Sequence, residues 1–166
     1  MFATLPPVLD ARRMVAARRQ FDGRLPLAGF IRLRDSLMDA EGDCEFQLEF
    51  GRDATGLDFL EIRAQARLPL QCQRTLERFW LPVSIVQRLG LITDEAQESA
   101  LLPEMEAVLL GPEGELHPAE LIEDELILAI PVVPIDPDST AADAVVVEEE
   151  PRPNPFAALA ALKDNK

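Results

Sequence analysis

The alternation of apolar and polar residues is most regular in two neighbouring segments, residues 43–53 and 57–72. A period of two residues is typical of a β-strand that buries one face. Gly56 lies between the segments and is suited to the positive φ angle of a tight turn. We therefore predict an antiparallel hairpin with one buried face. The residues of that face are Cys44, Phe46, Leu48, Phe50, Leu60, Ile62, Ala64, Ala66, Leu68, Leu70 and Cys72.

Three further segments have weaker strand patterns. Residues 78–86 alternate, and their proline at position 82 predicts an edge strand or a bulge, because proline has no backbone N–H to donate. The inward positions of this strand are Phe79, Leu81, Val83 and Ile85. Residues 106–116 predict one more strand followed by a turn. Residues 21–37 are ambiguous between a short strand with a turn and a short strand with a short helix.

The segment LIEDELILAIPVVP, residues 121–134, has a helical pattern instead. Pro118 suits the first position of a helix and Pro131 cannot continue it, so we predict a helix over residues 118–130. On a helical wheel the acids Glu120, Glu123 and Asp124 cluster on one side. The other side carries Leu121, Ile122, Leu126, Leu128 and Ala129.

Two residues depart from this pattern, because Ile127 lies among the acids and Glu125 falls within the apolar arc. A buried carboxylate is costly unless it is paired with a cation. Arg74 is our predicted partner, since it lies beside the inward-facing Cys72. The alternative is that the helix is rotated, so that Glu125 lies in water.

The two ends of the chain are predicted to be helical as well. Residues 10–19 form an N-terminal helix with Asp10 as its N-cap. Residues 135–153 are rich in Asp, Pro, Glu and small residues and predict a flexible acidic linker. A short helix over 154–163 closes the chain, and it is marginal unless it docks on a surface. Its apolar docking residues are Phe156, Leu159 and Leu162.

These elements together predict an α+β fold. An antiparallel sheet, an N-terminal helix and a packed helix near 118–130 form one globular domain over residues 1–134. Residues 135–166 form the acidic linker and the C-terminal docking helix.

The charge is distributed unevenly along the chain. The net charge is −14, and residues 89–151 contain 17 acids but neither Lys nor Arg. Such a segment repels a phosphate backbone and attracts basic partners. A plain solubilising surface is the alternative explanation.

The basic residues before position 163 are all arginines. Arg63, Arg67 and Arg78 lie on or just after the outer face of the predicted hairpin, and Arg74 lies near them. Because arginine binds phosphate through two donors, this face is a candidate RNA contact. Surface ion pairs are the alternative use of the same residues.

Motifs of catalysis, metal binding and membrane insertion are lacking in the sequence. The one histidine and two cysteines have no zinc spacing, and no glycine-rich loop matches a nucleotide-binding fingerprint. We therefore expect no catalytic residues, no metal and no cofactor. No apolar run reaches the ~18 residues of a membrane helix, and the N-terminus has no signal-peptide pattern. We expect a soluble cytoplasmic protein.

Three segments resemble the YceD family, the large ribosomal RNA subunit accumulation proteins. They are LPLQCQRTLERF (68–79), LIEDELILAIPVVP (121–134) and PNPFAALAALK (153–163). Within the two internal motifs, Cys72, Arg74, Glu125 and Pro131 are candidate structural positions. Members of the family often have C-x-x-C in the first motif, whereas this chain has Cys72 followed by Thr75, so a zinc or redox role for such a pair does not transfer.

The resemblance implies a non-enzymatic factor of large ribosomal subunit biogenesis, which supports synthesis, processing or stability of its RNA. Two mechanisms stay open. In the first, the acidic helix face of Glu120, Glu123 and Asp124 binds a basic ribosomal or assembly protein. In the second, the arginine face binds ribosomal RNA directly. The charge distribution favours the first mechanism.

Overall fold

The computed structural model describes residues 5–139. Seven strands and three α-helices lie in this range, together with two 3-10 helices (Leu27–Gly29 and Glu95–Ala100). The strands are β1 (Leu9–Asp10), β2 (Gln20–Pro26), β3 (Asp43–Arg52), β4 (Asp58–Gln71), β5 (Arg78–Ile92), β6 (Glu106–Leu109) and β7 (Glu115–Leu116). The helices are α1 (Ala11–Ala16), α2 (Ile31–Arg34) and α3 (Pro118–Leu128).

Five of the strands form one sheet in the order β2-β3-β4-β5-β6. The first four are antiparallel neighbours, whereas β5 and β6 pair in parallel. β1 and β7 form a separate antiparallel pair. The α+β prediction is therefore confirmed, with the addition that β6 makes the sheet mixed.

The predicted β3–β4 hairpin is confirmed with its buried face. Gly56 has a φ of 89°, and the Asp53 carboxylate accepts the N–H groups of Thr55 and Leu57 at 2.8 and 3.0 Å. These contacts hold the turn, so the alternating residues of both strands fall on the same side. Each predicted inward residue from Cys44 to Cys72 is buried.

The helices cover this apolar face of the sheet. α1 contacts β3, α3 contacts β4 and β5, and α2 lies against α3. The Asp10 carboxylate caps α1 by accepting the N–H of Arg13 at 3.1 Å, as predicted, although the helix is shorter than the predicted 10–19. The opposite face of the sheet carries mainly polar and charged side chains, together with Trp80 and Val86 of β5.

β5 is the longest strand, with 15 residues, and its edge beyond β4 is only partly covered. Within the part of the chain that the structure describes, β6 pairs only with residues 89–92 of β5. Pro82 is paired with Arg67 of β4 and lies in the stretch that has no second neighbour. The predicted edge position of Pro82 is therefore confirmed.

The chain segment after α3 returns to the β4–β5 turn. The N–H of Gln73 donates to the carbonyl of Pro134 at 2.8 Å, and Arg74 Nη1 donates to the carbonyl of Ser139 at 3.1 Å. Contacts with the domain thus extend past residue 134. The division of the chain at 134/135 stays a prediction. None of the helices in residues 5–139 is long and apolar enough to cross a membrane.

Candidate functional site

α3 lies at the centre of the candidate site, and its orientation differs from the predicted one. The helix starts with Pro118 at its first position, as predicted, and ends at Leu128, two residues before the predicted end at 130. Its buried residues are Pro118, Ile122, Glu123 and Leu126, whereas Leu128 is 70% exposed. The helix is therefore rotated relative to the apolar arc of the wheel.

Glu123 is the acid that this rotation buries, with 6% exposure. Its Oε1 accepts the backbone N–H groups of Arg32 and Leu33 at 2.6 and 3.0 Å, and Oε2 accepts Arg32 Nε at 3.1 Å. The carboxylate thus satisfies N–H groups in the first turn of α2 that have no partner within that helix. The prediction that Glu123 belongs to a solvent-exposed acidic face is wrong.

Asp124 is also engaged within the domain. Its Oδ1 lies 2.6 Å from Arg32 Nη1, and Arg32 Nη2 donates to the carbonyl of Glu120 at 3.2 Å. The pKa of the Arg32 guanidinium is raised by its hydrogen bonds to Asp124 and then to Glu123. Of the three predicted partner-binding acids, only Glu120 keeps an exposed carboxylate without an ion pair among residues 5–139.

Glu125 is half-buried, and its predicted partner is elsewhere. Arg74, which lies in the β4–β5 turn, donates to the carbonyl of Ser139. None of the basic side chains among residues 5–139 pairs with Glu125. Burial is the main cause that raises the pKa of Glu125, followed by the charges of Glu106 and Asp124. The predicted Glu125–Arg74 pair is therefore wrong.

Glu125 lies instead in a groove between α3 and β6, which we call the α3–β6 groove. Its volume is about 430 Å³. The groove is lined by Arg32, Leu89, Glu106, Ala107, Val108, Leu121, Asp124, Glu125, Ile127 and Leu128. It combines an aliphatic floor with carboxylates, which suits a ligand that is both apolar and basic.

The motif around Cys72 forms a tight turn. The N–H of Cys72 donates to the carbonyl of Glu77, and the carbonyl of Cys72 accepts the N–H of Leu76, whose φ angle is 62°. The N–H of Asp136 donates to Cys72 Sγ at 3.4 Å. This contact, with smaller contributions from Thr75, lowers the pKa of the buried thiol to about 6. Cys72 and Arg74 thus hold the segment 134–139 against the domain.

The candidate RNA-contact arginines are largely engaged with carboxylates. Arg63 bonds to Glu61 at 2.6 Å, and Arg78 bonds to Asp39 at 2.6 Å and to Glu41 at 2.8 Å. Hydrogen bonds from Arg63 and Arg88 lower the pKa of Glu61.

Arg67 lies on the same outer face, with its guanidinium 5.4 Å from the centre of the Trp80 ring. Arg78 stacks on that ring as well, at 4.2 Å. The tail residues Phe156, Leu159 and Leu162 lie outside the described residues.

Arg32 and Glu106 are the site residues that the sequence reasoning missed. Arg32 meets Glu123 across a separation of 91 residues, and no local pattern signals such a contact. Glu106 faces α3 because it is in register with the buried Leu89 of β5, which depends on the parallel pairing of β6. Among residues 5–139, no group of three or more His, Cys, Asp or Glu side chains is placed to hold a metal ion.

Fold and site together define a small α+β protein with an acidic and partly apolar groove beside a buried glutamate. The sequence profile of the family described as "Large ribosomal RNA subunit accumulation protein YceD" matches residues 60–163. A Haemophilus influenzae protein named "Large ribosomal RNA subunit accumulation protein YceD" is 30% identical over 168 residues, covering 96% of this chain and 94% of that protein. No solved structure matches the chain. The chain belongs to the YceD family.

Proposed function

We propose that this protein is a non-enzymatic factor that supports accumulation of large-subunit ribosomal RNA by binding a basic ribosomal or assembly protein. The relative's name supplies the biological process. The charge distribution supports the mechanism, and we expect the protein to act in the cytoplasm.

The observation that carries the proposal is that few of the acids in the second half of the domain pair with a base of the domain itself. Residues 89–151 contain 17 acids and no Lys or Arg. Among the residues that the structure describes, Arg32 is the only base that pairs with any acid from this stretch, and it reaches only Glu123 and Asp124. Within residues 89–139 the other carboxylates form no ion pair with a described base, so they are open to a basic partner, which they attract and orient.

Direct RNA binding is the alternative mechanism, and the arginine face gives it limited support. Arg63 and Arg78 already bond to carboxylates, which compete with phosphate for their donors. Arg67 and Trp80 are the remaining pair with suitable chemistry for stacking and phosphate contact. The acidic half of the domain opposes the approach of a polyanion.

A capture experiment separates the two mechanisms. The tagged full chain is incubated with a cell extract that contains assembling ribosomes, with and without ribonuclease treatment. We expect a basic protein of the large subunit to be recovered in both cases, and its recovery to fall as salt rises. Recovery only from the untreated extract would favour RNA as the direct ligand.

A further inference from the structure

The α3–β6 groove is bordered by two carboxylates that have no cation. Glu106 projects from β6 towards α3, and Glu125 projects from α3 into the same groove. Within residues 5–139 neither side chain forms an ion pair or a hydrogen bond. Arg32 is the one base of the lining, and its guanidinium is already bonded to Glu123 and Asp124.

The floor of the groove is aliphatic and open to solvent. Leu128 is 70% exposed, and Leu121 and Ile127 are only partly buried beside it. A contiguous apolar surface rimmed by polar and charged residues is a common feature of interaction sites. The half-buried position of the Glu125 carboxylate means that a cation placed there would be attracted more strongly than at a fully solvated acid.

The same surface continues along α3 towards its N-terminus. A second depression of about 220 Å³ shares Val108, Leu121 and Asp124 with the groove and adds Glu115 and Glu120. Because α3 has 11 residues, this acidic and aliphatic track is about 16 Å long. An extended segment of about five residues would span it.

We propose that the α3–β6 groove binds an amphipathic basic segment of the partner protein, with a Lys or Arg side chain between Glu106 and Glu125 and aliphatic side chains over Leu121 and Leu128. Charge complementarity selects this occupant, because an apolar segment alone leaves the two carboxylates without a cation. This inference rests on the proposed function, since the occupant belongs to the basic partner invoked there.

Site-specific photo-crosslinking tests which surface the partner covers. A photo-reactive amino acid replaces Leu128 in the groove or, as a control, Val86 on the outer face of β5, two aliphatic residues with similar exposure of 70% and 67%. The probe is the total protein extracted from purified large ribosomal subunits. We expect position 128 to crosslink to a basic protein, at a peptide that contains Lys or Arg next to aliphatic residues, and position 86 to stay at background.

The other outcomes overturn one proposal or the other. If the unmodified chain captures a basic protein but crosslinks form at position 86 and not at 128, the groove is rejected as the binding site. The proposed function stays intact in that case. Crosslinks from position 128 to residues 140–166 of the same chain make the tail the occupant and also reject the proposal. No capture of a basic protein by the unmodified chain, either from this probe or from the extract that contains assembling ribosomes, rejects the proposed function itself.

A pair of charge-matched variants tests the role of the two carboxylates. Glu106→Gln/Glu125→Gln removes two charges in the groove, and Glu95→Gln/Glu98→Gln removes two from the exposed 3-10 segment Glu95–Ala100. We expect the groove variant to weaken binding of the crosslinked protein about tenfold or more, and the control to weaken it less than about twofold. Equal losses would show that only overall charge matters and would reject the groove.

Discussion

Glu123 of α3 accepts the backbone N–H of Leu33 at 3.0 Å, although the two residues are 90 positions apart in the sequence. The same carboxylate oxygen accepts the N–H of Arg32 at 2.6 Å. α2 is only four residues long and receives no cap from a neighbouring side chain. The acid of a distant helix therefore replaces the local cap and fixes α2 against α3.

Replacing Glu123 with alanine should destabilise the domain by about 2–3 kcal/mol. The change leaves two backbone N–H groups without their acceptor and frees Arg32 from one of its two acidic partners. Urea unfolding of the two proteins at neutral pH measures the difference. Glu120→Ala on the exposed side of the same helix is the control and should cost no more than about 0.5 kcal/mol. Similar costs at the two positions would contradict the capping role.

Replacing Glu125 should not destabilise the domain, in contrast to replacing Glu123. Its pKa is raised above the ordinary value of 4.5 by burial and by the charges of Glu106 and Asp124, so the folded state holds its proton more tightly than the unfolded state does. The stability that this group contributes is fully present below pH 4.5. It is lost as the pH rises through the pKa that Glu125 has in the folded state. Glu125→Gln removes the charge, so it should match or exceed the wild type at pH 7.

The gain from Glu125→Gln should be below about 1 kcal/mol, because the carboxylate is half-exposed and partly screened. Thermal unfolding at a series of pH values checks the dependence. The difference between variant and wild type should shrink as pH falls towards 4.5. A variant that is clearly less stable at pH 7 would show that Glu125 has a stabilising partner after all.

Generic single-stranded or duplex RNA should bind weakly at physiological salt. The acidic half repels the phosphates, and Arg63 and Arg78 are bonded to Glu61, Asp39 and Glu41. Fluorescence anisotropy of a labelled RNA over a range of salt concentrations measures this. Tight binding with a steep salt dependence, lost in Arg63→Glu/Arg67→Glu, would support the RNA mechanism instead.

Deleting residues 153–166 should leave the thermal midpoint of the domain nearly unchanged. This expectation comes from the sequence, in which Phe156, Leu159 and Leu162 form a short apolar stripe after an acidic linker. Differential scanning calorimetry of the full and shortened chains measures the midpoints. If the shortened chain captures less partner while its midpoint is preserved, the apolar stripe contacts the partner. A large drop in the midpoint would assign it to the domain.

The hairpin was predictable because its signal is local. Cys44, Phe46 and Leu48 alternate with polar residues, and the turn at Gly56 determines which residues of β4 they meet. Sequence alone therefore suffices for β3, β4, their buried face and the α+β class, whereas the β1–β7 pair was not predicted and β5 runs on to Ile92. The same holds for Pro118 at the start of α3 and for the edge position of Pro82.

The orientation of α3 was not predictable, because long-range contacts determine it. A helical wheel treats every glutamate as solvent-seeking, so it assigned Glu123 to water and left Glu125 as the anomaly. In the structure the backbone N–H groups of α2 donate hydrogen bonds to Glu123, so Glu123 is the buried glutamate rather than the exposed one. Glu106 was missed for a related reason, since its direction depends on the parallel pairing of β6 with β5.

Pro82 has a consequence for the behaviour of the protein in crowded solution. An open strand edge is a template for self-association, because its unpaired N–H and C=O groups invite the strand of another molecule. In the stretch of β5 that pairs only with β4 within the described residues, the proline withholds a donor near the middle of that edge. A second copy approaching edge to edge would find its hydrogen-bond ladder interrupted there. Proline at such a position is one of the devices by which an open strand edge resists the addition of another strand.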